Sequence, residues 1–198
     1  MQLTKEWLDK NDACPESLVC FAEHYEPAGI SDSVEILKDL MTDERKAYVK
    51  DKFEANSLDW ANWLIGRVMT RPQYLAYAIY AAEQVLDNFE KEYPDDKRPR
   101  AAIEAAKAVL KNDTEVNRSA AWAAARAADD ACAAWAVSAA DDASAAASAA
   151  RAASAAAWSA CAACAACAAD SAAWASGTGM LKTILEYGVG ILEKERKK

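Results

Sequence analysis

The sequence predicts an all-α protein, a multi-helix bundle in which long alanine-rich helices pack closely. Three observations carry that expectation. More than half of the residues from Ser119 to Gly177 are alanine, with no proline and no glycine before the last position. Outside that run, apolar residues recur at three-four spacing between proline and Asx/Ser/Thr punctuation. Valine, isoleucine and threonine are sparse and glycine is rare, a composition that disfavours sheets.

The first third predicts short helices joined by turns. Thr4 caps a turn bearing Trp7 and Leu8, and Pro15 suits the first position of a helix with Leu18, Val19, Phe21 and Ala22. Pro27-Ala-Gly29 ends that unit, and Ser31 or Asp32 starts the next, with Val34, Leu37, Leu40 and Met41 at helical spacing. A further helix is predicted over Asp43–Phe53. Ser57 is expected to cap a helix over Leu58–Met69 whose Trp60, Trp63, Leu64 and Val68 form an inward stripe.

Pro72 opens a longer helix running to about Tyr93, with Tyr74, Leu75, Ala78, Ala82, Val85, Leu86 and Phe89 inward. Pro94 to Arg98 is a tight charged connection. Pro99 starts a helix to Leu110, and Asn112-Asp113-Thr114 separates it from the alanine run. A last helix, at 178–194, carries Leu181, Ile184, Leu185, Val189 and Leu192. Gly188 and Gly190 weaken it or admit another backbone. No glycine-rich linker divides the chain, so a single domain is expected.

Alanine loses no side-chain entropy on entering a helix, so the run has little choice of backbone state. Drawn out straight it would reach ~90 Å, whereas a compact chain of this size is only ~40 Å across. A fold-back is therefore expected, with a break at Ser138 to Ser144 where Ser and Asp side chains offer caps. Asp130, Asp141, Ser148, Ser159 and Asp170 share a narrow stripe with Arg126 beside it. Trp122, Trp135, Trp158 and Trp174 are expected to supply much of the apolar burial.

The chain of 198 residues has a net charge of −8, concentrated in residues 1–59, which carry 7 Lys/Arg against 14 Asp/Glu. That balance argues against direct nucleic-acid binding through a basic surface. The charged opening Met-Gln-Leu-Thr-Lys-Glu-Trp does not read as a secretory signal, and the alanine run holds too many charges for a membrane span. Cytoplasmic localisation with reduced cysteines is expected.

No GxSxG, P-loop, HExxH or dinucleotide pattern occurs. Cys161-Ala-Ala-Cys164-Ala-Ala-Cys167 has the spacing of three cluster ligands. On a helix, with no following Cys-Pro, these read as buried packing residues rather than metal ligands. His24, the one histidine, reads as a helix-end or surface group. The paired acids Asp95-Asp96, Asp129-Asp130 and Asp141-Asp142 read as caps and solvated faces, because neighbours on a helix diverge by about 100°. No enzyme, metal or cofactor is therefore expected. The candidate binding residues are Arg98, Arg100, Glu104, Arg118, Trp122, Arg126 and Asp130, because arginine beside aromatic rings holds carboxylates, phosphates or rings. Arg100 and Glu104, four apart, are expected to pair.

The order Trp60-Ala-Asn-Trp63-Leu-Ile, Tyr80-Ala-Ala-Glu-Gln-Val-Leu86-Asp-Asn-Phe-Glu90, Pro94-x-Asp96-x-Arg98-Pro99-Arg100-x-Ala-Ile-Glu104 and then an alanine-rich tract resembles an immunity protein family (type-five-like). Its members occur beside bacterial toxin systems and in phages and related mobile elements. The resemblance covers roughly residues 56–175, and many members carry a histidine in the tract that this chain lacks. It implies an all-helical, non-enzymatic protein that binds and neutralises a protein partner, a toxin or a host defence component. Two other readings stand beside it. One is a sponge for a nucleotide-type signalling molecule, motivated by Arg98, Arg100, Arg118, Arg126 and Arg151 among tryptophans. The other is a homo-oligomeric scaffold using the alanine stripe.

Overall fold

A computed structural model describes residues 1–136, 152–153, 155–158, 162–176 and 178–196. The expected break at 138–144, the stripe positions 141, 148 and 159, and Arg151 lie outside the described residues. Every extended element among those described is helical, apart from an isolated antiparallel bridge between Gln2 and Asp32. Backbone contacts group the chain into two compact units, Met1–Val68 with Val189–Lys198, and Met69–Gly188.

In the first unit, α1 (Lys5–Lys10) is capped by the Thr4 hydroxyl, which accepts from the Trp7 amide. Helix α2 (Pro15–Cys20) widens into a π-helical turn over Phe21–Tyr25, then tightens to α3 (Glu26–Ala28). Gly29, at φ +68°, ends it; that left-handed conformation is inexpensive only without a Cβ. Asp32 caps α4 (Ser33–Leu40) and Thr42 caps α5 (Asp43–Phe53). Helix α6 spans Ser57–Val68.

Its cap is one residue earlier than the sequence suggests. Asn56 Oδ1 accepts from the Leu58 amide, while the Ser57 hydroxyl is buried and donates to the Leu40 carbonyl. The inward face of α6 is also rotated from the expected stripe. Leu58, Ala61, Leu64 and Ile65 are buried, whereas Trp60, Trp63 and Val68 are only half-buried. The Arg67 guanidinium lies 4.1 Å from the Trp63 ring centroid and donates from Nε to the Asn11 carbonyl. A wide indole edge stays wet while the smaller side chains fill the interior. Leu37, Val49 and Ile65 form the dry centre.

The second unit is organised around α7 (Arg71–Glu83), on which Tyr74, Leu75, Tyr77, Ala78, Ile79, Ala81 and Ala82 are all buried. The expected single helix from Pro72 to Tyr93 is broken at Gln84-Val85, and α8 (Leu86–Glu92) follows as a separate piece. Val85 leaves helical geometry, at φ −122° and ψ −2°, yet remains fully buried, so packing overrides local propensity there. Helix α9 spans Arg98–Lys111 and α10 spans Glu115–Ala136. Residues 152–153 and 155–158 are helical, and α11 covers Ala162–Ser176. Helix α12 (Thr178–Arg196) contributes residues to both units.

Alanine decides how closely these helices meet. Ala121, Ala125 and Ala128 of α10 are buried in its contact with α9, which offers Ala102 and Ala106. Among the described side chains of α11, Ala168, Ala169, Ala172 and Ala175 are buried, and the helix packs on α7. Alanine's small side chain is the kind that lets helix axes approach toward the short end of the usual ~8–10 Å range. Phe89 and Tyr77, fully buried, supply the bulk that alanine lacks.

The tryptophans do not play the expected part. Trp174 is 84 % exposed and Trp122 is 49 % exposed, so α10 and α11 turn their alanine faces inward and their indoles toward water. Trp158 is half-buried, and the Trp135 side chain lies outside those described. Cys167 is likewise exposed rather than buried, because the inward face of α11 is Ala168, Ala169, Ala172 and Ala175. The side chains of Cys161 and Cys164 lie outside those described.

Candidate binding site on the second unit

Pro99 opens the first turn of α9 and Arg98 and Arg100 flank it, as the sequence implies. Asp96 folds back on this start. Its carboxylate accepts from the Arg98 backbone amide at 3.0 Å and from Arg98 Nε and Nη2 at 2.9 and 2.6 Å. That hydrogen bond holds the Arg98 guanidinium firmly charged against a smaller cost of burial, with the Asp130 carboxylate adding to its field. Arg98 and Asp130, 32 positions apart, thus share one electrostatic neighbourhood.

Arg100 does not pair with Glu104 by hydrogen bond. It donates from Nε and Nη2 to the two oxygens of Glu90 at 2.6 and 2.5 Å. The Glu90 carboxyl is held below its ordinary range by that hydrogen bond. Glu104 instead accepts from Lys107 Nζ at 2.7 Å, and the same ammonium reaches Glu83 of α7 at 2.8 Å. The physical reason is geometric. A planar guanidinium gains most from two parallel bonds to one carboxylate, and α8 presents Glu90 in that orientation. Between these pairs lies an open groove of about 210 Å³ lined by Leu86, Asp87 and Ile103 among others.

Arg118 is similarly engaged. Asp113 accepts from Arg118 Nη1 at 2.8 Å and from Arg71 Nε at 3.0 Å, tying the start of α7 to the α9–α10 connection. Thr114 caps α10 by accepting from the Asn117 amide.

Arg126 is different. Among the described residues its guanidinium has no carboxylate partner; it lies over the Trp122 ring, 4.9 Å from the centroid, one turn along α10. Trp158 meets Trp122 edge-on, at 5.6 Å and 79°. Its indole N–H donates to Asp129 Oδ2 at 3.0 Å. Arg126, Trp122, Asp129 and Asp130 are all exposed. Trp122 and Arg126 were both candidates from the sequence, and their spacing of four residues is the signal that could have paired them. Asp129 and Trp158 carry no such signal, since 29 residues separate them and nothing local links the two. Glu90 and Asp113 were missed for the same reason.

The first unit holds a second polar cluster. Asp39 Oδ2 accepts from Tyr25 Oη and from Arg45 Nε, each at 2.7 Å, and Arg45 lies over the Tyr25 and Tyr48 rings. Burial, then the Asp39 contact, pushes the Tyr25 phenol far up. His24 sits in the π turn with its ring edge-on to Tyr48, centroids 4.4 Å apart. Its Nε2 is buried with no hydrogen-bond partner. Burial and the Arg45 charge hold this imidazole below its ordinary range. Neutral His24 suits a packing role.

Among the described residues no group of His, Cys, Asp and Glu is arranged to hold a metal ion. No helix among them is long and apolar enough to cross a membrane. Compared with known proteins, the chain matches no family model, no curated protein and no solved structure.

Proposed function

We propose that this chain is a non-enzymatic, cytoplasmic binding protein that neutralises a protein partner, a bacterial toxin or a host defence component, as immunity and phage anti-defence proteins do. The observation that carries the reading is the outward placement of large apolar side chains. Trp174 and Val116 are 84 % and 77 % exposed, and Trp122 carries an arginine on its face. Exposed tryptophan and arginine are the side chains that concentrate binding energy at protein interfaces. Burying Trp122 and Trp174 against a partner would recover apolar area that now faces solvent. The acidic first third and the resemblance to the immunity protein family point the same way.

The nucleotide-sponge reading needs several arginines open to a phosphate. Arg98, Arg100 and Arg118 each bind a carboxylate of their own chain, which leaves Arg126 as the one described arginine of that reading without a carboxylate partner among the described residues.

Co-expression with a panel of bacterial toxins and abortive-defence effectors tests the proposal. Growth rescue is expected for the native chain and loss of rescue for the Trp122→Ala, Trp174→Ala double variant at equal abundance. Failure to rescue from any effector, together with a thermal shift on adding cyclic nucleotides, would transfer the proposal to the sponge.

A further inference from the structure

We infer that Trp122, Arg126 and Trp158 form a preorganised socket for a carboxylate side chain of the protein partner, with Asp129 as the residue that positions it. The inference rests on the protein-binding reading above and names the chemistry of one contact within it.

Among the described arginines of the second unit, Arg71 and Arg118 share Asp113, Arg98 has Asp96 and Arg100 has Glu90. Arg126 alone has an aromatic ring in place of a carboxylate. A guanidinium lying over an indole leaves its N–H edge for a further partner. That edge matches a carboxylate in the fork geometry the other arginines already use internally. The stacking also lowers the ordering cost on binding, because the side chain is held before the ligand arrives.

The shelf is itself braced. Trp158 closes one side of the Trp122 ring, and its indole N–H is anchored by Asp129. Through Trp158, the Asp129 carboxylate fixes the ring on which Arg126 rests. Asp129 is bonded to Trp158 rather than to the guanidinium, so its role is one of position.

The neighbours select the kind of anion. Asp129 and Asp130 are exposed within one turn of Arg126. The guanidinium fork offers either anion the same paired hydrogen bonds, but Arg126 with Asp129 and Asp130 sums to one negative charge, so the second charge of a phosphate is opposed rather than rewarded. The two indoles offer an apolar floor for the methylenes of an acidic side chain or for an apolar neighbour. An acidic residue beside an apolar one on a protein segment satisfies all of these features.

Selection of a random peptide library on the purified full-length chain, with recovered peptides measured by titration, tests this. The expected consensus contains Asp or Glu next to an apolar residue. Changing that acid to its amide in the peptide, or Arg126→Gln in the protein, should weaken binding at least tenfold, or about 1.4 kcal/mol. Asp129→Ala should weaken it several-fold, and Asp129→Glu should recover part of the loss. In ¹H–¹⁵N spectra, the indole resonance of Trp158 should move in Asp129→Ala while the melting temperature stays near native. The Trp122 indole should shift with peptide and not with AMP.

A consensus without an acid, or binding indifferent to Arg126→Gln, overturns the socket while leaving a protein-binding chain. Enrichment of no peptide also counts against the socket, and toxin rescue is scored separately. A saturable AMP shift at Trp122 without a peptide shift overturns the carboxylate assignment in favour of a nucleotide.

Discussion

Asp32 receives Arg196 across 164 residues: Nη2 of the arginine donates to Oδ2 of the carboxylate. The other oxygen, Oδ1, caps α4 by accepting from the Val34 and Glu35 amides at 3.1 and 3.2 Å. One carboxylate therefore serves both a local helix start and the last turn of α12. The Arg196 hydrogen bond first, then the cap bonds, hold the Asp32 carboxyl below its ordinary range.

Comparing Asp32→Ala, which removes both contacts, with Arg196→Ala, which removes one, separates its two duties. Asp32→Ala should cost about 1 kcal/mol, the usual worth of an N-cap. Arg196→Ala, which breaks only an exposed ion pair, should cost no more than ~1 kcal/mol. Because the folded-state pKa is depressed, the charge contributes stability above the unfolded value near ~4 and loses it as pH falls through the folded value. Denaturant melts across pH 2–7 should therefore show a shallower acid loss in Asp32→Asn than in the native chain.

His24 gives the opposite kind of group in the same acidic direction. Its folded pKa lies below its unfolded one, through burial first and the Arg45 charge second. Above the unfolded value near ~6.5 the two states bind equal protons, so stability there is unaffected. As pH drops below it the unfolded chain takes up a proton that the folded chain resists, and stability falls until the folded pKa is reached. His24→Gln should flatten this step. Urea midpoints at pH 7.5, 6.5, 5.5 and 5.0 give the comparison.

The alanine seams make a sharp contrast between faces. Ala125 is fully buried between α10 and α9, and Ala123 on the same helix is exposed. Ala125→Leu should destabilise by roughly 1–3 kcal/mol through overpacking. Ala123→Leu should stay within about 0.5 kcal/mol of native. Calorimetric melting of the two variants side by side measures the difference.

The exposed indoles should matter little to folding. Trp174→Ala is expected to shift stability by less than about 0.5 kcal/mol, whereas Phe89→Ala should cost roughly 3–5 kcal/mol. Equal losses for the two, read from chemical denaturation, would return Trp174 to the core.

Gly190 lies inside α12, and a Cβ built there meets nothing within 4 Å. The sequence left open a close backbone approach at this glycine; the space around it removes that reason. Gly190→Ala should stabilise the chain by about 0.5–1 kcal/mol, seen as a raised denaturant midpoint with an unchanged slope.

What the sequence determined by itself was the helical state and most of its punctuation. Alanine propensity, the Thr4 cap, the helix start at Ser31 or Asp32, and the prolines at 15, 72 and 99 act over one turn of chain, so each is readable from its neighbours. The four-residue spacing of Trp122 and Arg126 belongs to the same class. Tertiary structure alone decided which alanine face is buried, because methyl groups look alike all round the helix and only a packing partner breaks the tie. It sent Trp122 and Trp174 outward, broke the chain at Val85, and gave Arg100 to Glu90 rather than Glu104. It also joined Asp129 to Trp158. These outcomes depend on how one helix registers against another, a quantity set by the summed packing of the unit and carried by no short stretch of residues.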